Sequence, residues 1–469
     1  MTDSNSTSPD PTSDAPSTYA VPVGGRLRGP LHVPGSKSVT QRYFDLALIG
    51  RAPMTVRRPL LSDDPLLFLD AMRTAGFGVE HIDSAVVLTP PAAAARDDGD
   101  GGGEARAIFC GNGGTMFRFL TAALTAVPGR WRLDGVPRLR ERPVGPLIDA
   151  LRRLGATVEC LVQEGYAPLR IQGGTLGSGE TRLDAGSSSQ YLSAMLIAAL
   201  AAPAPVTIHL EALTSAPYVD LTLDAIADLT ETDDGAPAVE RLVESGETVG
   251  FRVRPARVIG GTITVEGDDS AAAYPAAGAL LTGGSVRLHG LRRHTRHGDR
   301  ALLDLLARCG ADVRWSVDGE GDDVVTITGP ADGCLRGLTE PVDMSGMPDQ
   351  VPTVAALAPF LPGTTRIVGA AHLRIKESDR LAAMATELRR TGAEAREHDD
   401  GLEIDGTWSD PATAPPPSPV SIETYHDHRI AMAMALVGLR RSGVQIQQPG
   451  VVAKSYPDFW QDLEQLLRS

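Results

Sequence analysis

The stretch Val33-Pro34-Gly35-Ser36-Lys37-Ser38 follows an apolar segment typical of a β-strand and leads into a helix of small apolar residues. The same succession of strand, Gly- or Ser-rich turn and helix occurs six times in the 469-residue chain. The turns centre on Ser36 (VPGSKS), Asn112 (CGNGGT), Ser188 (AGSSSQ), Asp269 (EGDDS), Ser345 (DMSGMPD) and Asp427 (TYHDHR). Successive centres lie 76, 76, 81, 76 and 82 residues apart. This spacing is too long for a solenoid repeat, so each unit is predicted to be a whole supersecondary module.

A second pattern repeats inside the units. Residues 147–154 have helical periodicity, stop at Gly155 and are followed by a strand-like segment at 156–160. The same order of helix, Gly-containing turn and strand recurs at 301–315 and 381–397 and, more weakly, at 68–82. The two patterns together predict mixed α/β units whose sheets are covered by helices, and six units divide most simply into two domains of three.

Composition limits the classes of function. A net charge of −15 argues against a nucleic-acid partner, because binding to the phosphate backbone needs a dense basic surface. The four cysteines form no CxxC pair, so neither a disulfide framework nor a zinc site is predicted. No uninterrupted apolar run reaches membrane-spanning length, and residues 1–20 are interpreted as a disordered tail and not a signal peptide. We therefore expect no membrane association and a cytoplasmic location.

Changes in composition along the chain suggest the domain organisation. Residues 92–106 and 410–420 are typical of flexible surface insertions. Residues 230–250 are acidic and less periodic, and a basic, Pro-containing segment follows at 252–257. A domain boundary is predicted near residue 255.

The turns carry the candidate chemistry. A helix that begins at such a turn points unpaired N–H groups and its positive dipole end at whatever lies in front of it. Several such ends gathered on one cleft would bind a small, highly anionic molecule. Each turn alone is also compatible with ordinary helix capping or a solvated surface. The special residues nevertheless occupy the same place in most of the six copies, which favours a shared site.

Individual turns refine this hypothesis. Lys37, Ser38 and Arg42 share one helix face, and the required GxxxxGK[ST] of a Walker A loop is absent. The run 138–142 (RLRER) stands out as basic in an acidic chain. His426 and His428 flank Asp427, but no third ligand is near in sequence, so no metal site is predicted.

Nine motifs in the order PGSKSxxxR, GNxGTxxR, ERPxxxL, SSQ, SxPY, PD, LRxKExDRL, DHRxAM and KSYPxF resemble the 5-enolpyruvylshikimate-3-phosphate synthase family of enolpyruvyl transferases. The resemblance runs from about residue 21 to the end of the chain. It implies two similar domains, each an inside-out α/β barrel (prism) of three βαβαββ repeats. Domain 1 would comprise 21–34 and 256–469, domain 2 would comprise 35–255, and the ligands would bind in the cleft between them.

The resemblance also implies a reaction. Family enzymes transfer the carboxyvinyl group of phosphoenolpyruvate to the 5-hydroxyl of shikimate 3-phosphate and release phosphate through a tetrahedral intermediate, on the shikimate pathway to chorismate and the aromatic amino acids. No metal or organic cofactor is implied, and we expect a monomer whose partners are these two small molecules.

By position, the resemblance assigns shikimate 3-phosphate to Lys37, Ser38, Arg42, Ser188, Ser189, Gln190, Ser215, Tyr218, Asp349, His372 and Lys376. It assigns phosphoenolpyruvate to Lys37, Asn112, Gly114, Thr115, Arg142, Gln190, Arg380, Arg429 and Lys454. Asp349 matches the family's base facing the 5-hydroxyl. Glu377, Lys37 and Lys454 match groups implicated in proton transfer, and the division of work among those three is left open.

Three departures from the family's pattern bear on the site. His372 stands where many members have Asn, which leaves its contact with substrate open. Phe119 follows Arg118 where many members have Pro, and Gly113 replaces a commoner Ala. Because the last two back the phosphoenolpyruvate turn, the response to the herbicide glyphosate is also left open.

Three alternatives compete with this interpretation. The sister enzyme that acts on UDP-N-acetylglucosamine uses Lys-Asn at the first turn and usually a loop Cys, whereas this chain has Lys37-Ser38 and no Cys in 138–142. The others are a paralogue specialised for another cyclitol phosphate and a non-catalytic binding protein of the same fold. The presence of Asp349, Glu377, Lys37 and Lys454 counts against the last.

Overall fold

The computed structural model describes residues 18–50, 52–92, 104–410 and 416–469. Its buried apolar side chains form two hydrophobic cores, one in each of two domains. The core of domain 2 extends along the chain from Val39 to Val265. The core of domain 1 combines residues between Val21 and Val33 with residues from Ala271 onward.

In chain order, the first part contains β1 (Thr18–Ala20), β2 (Arg28–His32), α1 (Lys37–Ile49), β3 (Met54–Arg57), α2 (Asp63–Thr74), β4 (Gly78–Ile82), β5 (Ala85–Thr89), β6 (Arg106–Phe109), α3 (Gly114–Ala126), β7 (Arg130–Asp134), α4 (Pro137–Arg140), α5 (Gly145–Arg153), β8 (Thr157–Cys160), β9 (Leu169–Gln172), β10 (Gly179–Ala185), α6 (Ser189–Ala199), β11 (Val206–Leu213), α7 (Ala216–Leu229), β12 (Thr230–Glu231), β13 (Val239–Glu244), β14 (Glu247–Val253), β15 (Arg257–Val258) and β16 (Gly261–Thr264). The second part contains α8 (Asp269–Thr282), β17 (Ser285–His289), α9 (Ala301–Arg308), β18 (Asp312–Val317), β19 (Asp323–Thr328), β20 (Val342–Asp343), α10 (Val351–Leu357), β21 (Thr364–Val368), α11 (Arg380–Arg390), β22 (Ala395–His398), β23 (Gly401–Asp405), β24 (Val420–Ile422), α12 (His428–Arg440), β25 (Val444–Gln447) and α13 (Phe459–Arg468).

The predicted βαβαββ repeat is present. In the sheet β6-β7-β9-β8 the first two strands are parallel and the last two pair antiparallel. The sheets β10-β11-β14-β13 and β20-β21-β23-β22 have the same order. Two further sheets, β16-β3-β5-β4 and β18-β19-β17-β2, complete the pattern with a first strand taken from elsewhere in the chain. The mixed α/β, two-domain repeat architecture is thus confirmed.

The two borrowed strands mark where the chain crosses between domains. β2 lies in a domain 1 sheet but leads into α1 of domain 2, and β16 pairs with β3 of domain 2 but leads into α8 of domain 1. Gly35 and Gly267 form a bridge at this point, with Ser36 N donating to Glu266 O at 2.8 Å and Asp268 N donating to Pro34 O at 2.8 Å. The two crossings therefore lie side by side.

The predicted boundary at 255/256 needs correction. Val258 and Val265 belong to the domain 2 core, so the second crossing falls at 266–268. The acidic stretch before it forms the hairpin of β13 and β14, which completes a domain 2 sheet. The basic segment at 252–257 therefore marks the end of a hairpin and not the end of a domain.

The predicted tail is also too long at its inner end. Residues 18–20 form β1, which pairs antiparallel with β25 in the three-stranded sheet β1-β25-β24. Residues 1–17 lie outside the described residues, as do 93–103 and 411–415 of the two predicted insertions. Within the predicted insertions, Arg106 and Val420 already begin strands.

Three helices lie at the centre of each domain, covered by the sheets. They are α1, α3 and α6 in domain 2 and α8, α10 and α12 in domain 1, and every residue of α8 from Asp269 to Leu281 is buried. Each begins at or just after one of the six predicted turns. Ser36, Ser188, Asp268 and Asp427 cap four of them by accepting hydrogen bonds from backbone N–H groups of the first turn. Polar capping thus places the helix starts where the sequence pattern indicates.

Candidate active site

A cavity lies between the two domains and receives side chains from five of the six turns. Its walls are formed by Lys37, Ser38, Arg42, Asp64, Gly114, Thr115, Arg142, Ser188, Ser189, Gln190, Thr214, Ser215, Tyr218, Pro348, Asp349, His372, Lys376, Glu377, Arg380, His428 and Arg429. Every predicted site residue except Asn112 and Lys454 is in this set. The turn at Asp269 contributes no residue to the walls.

The cavity is cationic in an acidic protein. Its walls carry six Lys or Arg side chains and three carboxylates, whereas the whole chain has a net charge of −15. The cations come from both domains, with Lys37, Arg42 and Arg142 on one side and Lys376, Arg380 and Arg429 on the other. Concentrated cations in a largely enclosed, low-dielectric cleft favour a ligand with several negative charges.

Lys37 is held at the point where the chain crosses between domains. Its backbone N–H donates to Asp268 Oδ2 at 3.3 Å, and its Nζ lies 3.5 Å from Asp64 Oδ2. Asp268 also caps α8 by accepting from Ser270 N. A single carboxylate therefore ties the start of α1 in domain 2 to the start of α8 in domain 1.

Lys454 and Asn112 stand just behind the cavity wall and meet across the domains. Lys454 Nζ donates to the carbonyl oxygen of Asn112 at 3.0 Å and lies 3.6 Å from Glu377 Oε1. Arg142 Nη1 donates to the same carbonyl at 3.2 Å. The Asn112 side chain is half-buried, and its buried Oδ1 has no hydrogen-bond partner among the described residues. The predicted phosphoenolpyruvate turn is thus fixed by its backbone oxygen.

Asp349 lies between two arginines of domain 1. Arg380 Nη1 donates to its Oδ1 at 2.9 Å, and Arg429 Nη2 donates to its Oδ2 at 2.6 Å. Burial opposes ionisation, but Arg429 and Arg380 outweigh it and hold the pKa of the Asp349 carboxyl well below its usual range. Asp349 is therefore ionised, and its basicity depends on how firmly the two arginines hold it.

Glu377 also lies among arginines, but these come from both domains. Its carboxylate accepts from Arg380 Nη2 at 3.0 Å and lies 3.8 Å from Arg142 Nη1. Burial disfavours its charge, yet Arg142 and Arg380 hold the pKa of Glu377 well below its usual range. Arg380 also donates to Asp427, the cap of α12, through Nε at 2.8 Å. The two acidic groups predicted to act in catalysis therefore share one arginine.

The domain 2 wall contains a hydrogen-bonded chain of polar side chains. Arg118 Nη1 donates to Gln190 Oε1 at 2.5 Å, and Gln190 Nε2 donates to Thr115 Oγ1 at 2.8 Å. Burial lowers the pKa of Arg118 to about 10. This chain sets the orientation of the Gln190 amide, since its oxygen must face the guanidinium.

The described hydrogen bonds of the Arg42 side chain are all donated to other groups of the protein. Nε donates to Thr222 Oγ1 at 2.9 Å, Nη1 to the Ser38 carbonyl at 2.8 Å and Nη2 to the Tyr218 carbonyl at 2.7 Å. The Tyr218 hydroxyl in turn donates to Asp299 Oδ1 at 3.2 Å. Arg42 therefore braces the segment that carries Ser215 and Tyr218, in addition to lining the cavity.

Two titratable groups of domain 1 complete the walls. Burial, with Arg118 and Arg142 nearby, lowers the pKa of Lys376 to about 8. Burial and the charge of Lys376 lower the pKa of His372 to about 4. The His372 imidazole is therefore neutral near pH 7, and its Nε2 is buried without a hydrogen-bond partner among the described residues.

Several wall residues were not assigned from the sequence. Asp64, Thr214, Pro348 and His428 line the cavity, and Arg118 lies behind it. Asp64 lies between Lys37 and Lys454, at 3.5 and 3.9 Å from their Nζ atoms. The acidic pair at the start of α2 was the available signal for Asp64, but it is typical of any helix N-terminus. In the described parts of the chain, no group of three His, Cys, Asp or Glu residues could hold a metal ion.

Comparison with known proteins gives a consistent family. The family model described as EPSP synthase (3-phosphoshikimate 1-carboxyvinyltransferase) matches residues 21–463. A relative from Syntrophobacter fumaroxidans named 3-phosphoshikimate 1-carboxyvinyltransferase is 40% identical over 449 residues, which cover 95% of this chain and 98% of the relative. A relative of the same name from Shewanella amazonensis is 38% identical over 440 residues, with coverage of 93% and 95%. A solved EPSP synthase from Acinetobacter baumannii is similar with a TM-score of 0.72, 27% identity and coverage of 95% and 97%.

Proposed function

The chain belongs to the EPSP synthase family, and on that premise we propose that it transfers the carboxyvinyl group of phosphoenolpyruvate to the 5-hydroxyl of shikimate 3-phosphate and releases phosphate. The observation that carries this proposal is the interdomain cavity, where six cationic side chains face three carboxylates in a chain of net charge −15. The two substrates together bring two phosphates and two carboxylates. Side chains from both domains are suited to hold those charges together against their mutual repulsion.

We assign shikimate 3-phosphate mainly to the domain 2 wall. Ser188, Ser189 and Gln190 stand at the start of α6, where backbone N–H groups and hydroxyls suit a phosphate. Ser215 precedes α7 in a left-handed conformation with φ of 51° and lies on the wall near Tyr218. The remaining contacts in this assignment are Lys37, Ser38, Arg42, Asp349, His372 and Lys376, all of which line the same cavity.

We assign phosphoenolpyruvate to the opening between the second turn and domain 1. Gly114 begins α3 directly against the Arg142 guanidinium, so backbone N–H groups and a cation converge there. Arg380 and Arg429 supply two further cations from the opposite wall. Lys37, Asn112, Thr115, Gln190 and Lys454 complete the assignment.

The chemistry follows from the position of Asp349. In the addition step, the substrate's 5-hydroxyl attacks C2 of phosphoenolpyruvate, Asp349 accepts the hydroxyl proton, and the C3 methylene gains a proton to become a methyl group. The phosphoenolpyruvate anions compete with Asp349 for Arg380 and Arg429. We expect this competition to raise the pKa of Asp349 toward that of a useful base when substrates bind.

In the elimination step, the tetrahedral intermediate loses phosphate and a methyl proton. We assign the proton transfers at C3 to Glu377, Lys37 and Lys454, whose side chains lie close together. Lys454 Nζ is 3.6 Å from Glu377 Oε1, and the Nζ atoms of Lys37 and Lys454 are 3.5 and 3.9 Å from the Asp64 carboxylate. We assign stabilisation of the leaving phosphate to Arg142, whose Nη1 contacts the same carbonyl as Lys454 Nζ. Neither step calls for a metal or an organic cofactor.

We also propose a monomeric, cytoplasmic enzyme. Both walls of the cavity come from one chain, so the site needs no second copy. Among the helices that the structure describes, none is long and apolar enough to cross a bilayer.

Phosphate release tests the proposal. Purified protein is incubated with phosphoenolpyruvate alone and with shikimate 3-phosphate, shikimate, another cyclitol phosphate or UDP-N-acetylglucosamine as acceptor. We expect release that depends strictly on shikimate 3-phosphate. Faster release with a different acceptor would replace the proposed substrate, and release with no acceptor would contradict the proposed transfer.

A further inference from the structure

Arg138 reaches across the cleft to the backbone of domain 1. It lies on α4 of domain 2, and its Nε and Nη2 donate to the carbonyl oxygen of Lys376 at 3.2 and 3.0 Å. Arg138 does not line the cavity, whereas Arg142 of the same basic run does. The basic run therefore divides into a residue that faces the ligands and a residue that holds protein.

The Lys376 carbonyl that Arg138 contacts belongs to a segment that carries two side chains of the cavity wall. Lys376 follows the short 3₁₀ turn Ala371–Ile375 and precedes α11, so it lies between two regular elements. The side chains of Lys376 and of the next residue, Glu377, both line the cavity. Because one peptide unit joins these two residues, its orientation sets the direction of both side chains.

The guanidinium is pre-oriented for this contact. Its third nitrogen, Nη1, donates to Glu141 Oε2 at 2.8 Å on the same side of the cleft. The Arg138 side chain is 35% exposed. An exposed ion pair such as Arg138–Glu141 stabilises a fold very little by itself. Two bonds that converge from a rigid guanidinium on one carbonyl oxygen instead fix the position of that oxygen.

A neighbouring arginine offers a matched control. Arg140 lies on the same short helix, is 49% exposed, and donates both of its described hydrogen bonds to Asp134 of its own domain. Arg138 and Arg140 thus share residue type, helix and similar exposure. They differ in whether the contact crosses the cleft.

We propose that Arg138 is a positioning residue that fixes the Lys376–Glu377 peptide across the cleft and so aligns both side chains for the reaction. The proposal rests on the proposed function for the identity of that reaction. It predicts that Arg138 affects turnover through domain 1 geometry without touching either substrate.

Kinetics of Arg138→Ala, Arg138→Lys and Arg140→Ala form the first test. We expect Arg138→Ala to lower kcat by about 10- to 100-fold, the loss typical of a misplaced catalytic group. The Kd for shikimate 3-phosphate alone should rise by a smaller factor, because most of its assigned contacts lie in domain 2. Arg138→Lys, which has one donor group and no fork, should lie between Arg138→Ala and the wild type. A kcat for Arg138→Ala within about twofold of wild type, or an equal loss in Arg140→Ala, would overturn the proposal.

Hydrogen–deuterium exchange in the ligand-free chain forms the second test and needs no turnover. Amides of residues 374–379 should exchange faster in Arg138→Ala than in the wild type and at the wild-type rate in Arg140→Ala. Equal exchange in all three proteins would overturn the positioning role. If the wild type releases no phosphate with shikimate 3-phosphate, the proposed function fails, and the exchange comparison still decides the role of Arg138. Should Arg138→Ala fail to fold, Arg138→Lys takes its place in both tests.

Discussion

Lys454 of domain 1 donates a hydrogen bond to the carbonyl oxygen of Asn112 of domain 2 at 3.0 Å, although the two residues are 342 positions apart in the chain. The backbone of Lys454 is held from the same side, since the Ser62 hydroxyl donates to its carbonyl at 2.9 Å. Domain 2 therefore fixes both the side chain and the backbone of a lysine that belongs to domain 1. The position of the Lys454 side chain therefore depends on how the two domains pack against each other.

Ser62→Ala tests that relationship. Ser62 is buried, and its loss leaves the Lys454 carbonyl without this donor. We expect kcat/KM for phosphoenolpyruvate to fall by about 3- to 10-fold, the equivalent of one neutral hydrogen bond. Ser409→Ala is the control, because Ser409 also donates to a backbone carbonyl, that of Gly406, but within one loop. Equal effects of the two substitutions would show that Ser62 acts only on stability.

Gly114→Ala tests the packing of the second turn. A Cβ at Gly114 would lie 2.5 Å from the Arg142 Cζ, so the guanidinium must move. We expect KM for phosphoenolpyruvate to rise by about 10-fold or more, because a charge-assisted contact contributes about 1.5–3 kcal/mol. Gly113→Ala is the matched control. Its Cβ would press on Cys110 O at 3.0 Å and Asp64 Oδ1 at 3.1 Å, but none of its three nearest atoms belongs to Arg142, so KM for phosphoenolpyruvate should rise less than in Gly114→Ala. An unchanged KM in Gly114→Ala would show that Arg142 does not contact phosphoenolpyruvate.

Asp349→Ala removes the proposed base. We expect kcat to fall by about 10²- to 10⁴-fold while the protein stays folded, as judged by circular dichroism. Lys37→Met should also abolish measurable turnover. His372→Asn, which changes another wall residue of the same domain, should retain most activity because His372 is a neutral polar group near pH 7. Phosphate release at the wild-type rate by Asp349→Ala or Lys37→Met would contradict the assigned roles.

Lys376 predicts the alkaline side of the pH profile. Its pKa of about 8 means that the free enzyme loses this cation as the pH rises through 8. Therefore kcat/KM for shikimate 3-phosphate, which reports free-enzyme ionisations, should fall above about pH 8. Arg stays charged throughout this range, so Lys376→Arg should move the decline to higher pH, whatever its effect on the maximum. An unmoved decline would assign it to another group.

Asp45 predicts a pH-dependent stability. It lies on α1, and both carboxyl oxygens are buried without a hydrogen-bond partner among the described residues. Burial raises the pKa of Asp45 well above its usual value. The folded state thus holds a proton that the unfolded state releases near pH 4, so stability falls as the pH rises above that value. Asp45→Asn cannot ionise and should be more stable at pH 8 by on the order of 1–3 kcal/mol.

Denaturant unfolding at pH 5 and pH 8 measures this difference. The gap between Asp45→Asn and the wild type should widen from the lower to the higher pH. Asp149→Asn is the control, because Asp149 has a side chain 57% exposed on α5. A constant gap at both pH values would show that Asp45 is not protonated in the folded protein.

Local chemistry explains why the sequence predicts so much of this molecule. The capping side chains of Ser36 and Asp427 accept hydrogen bonds from N–H groups two or three residues away. The position of a helix start can therefore be predicted from a short stretch of sequence. Equal spacing of those stretches predicts the repeated modules. Motif order then indicates the family, and the family comparison confirms it. All of the residues assigned by position except Asn112 and Lys454 line one cavity, on which five of the six equivalent turns converge.

Longer-range features were not predictable in the same way. Asp64 has no motif of its own and gains its place from Lys37 and Lys454, which lie in different domains. The second crossing was placed too early because composition cannot show that β16 pairs with β3, some 200 positions earlier in the chain. Likewise, the motif match assigned Arg142 to a ligand, but nothing in the run 138–142 indicates that Arg138 holds a peptide of the other domain.

The modules, their caps and most of the cavity's side chains can thus be derived from the amino-acid order, because they depend on short-range hydrogen bonding and on repetition. The charge states and the partners of those side chains arise only when the chain packs. Ionisation of Asp349 depends on burial and on Arg380 and Arg429, and these arise from packing between elements far apart in the chain. The contacts of Lys454 and Arg138 exist because two adjacent, antiparallel crossings bring one domain against the other.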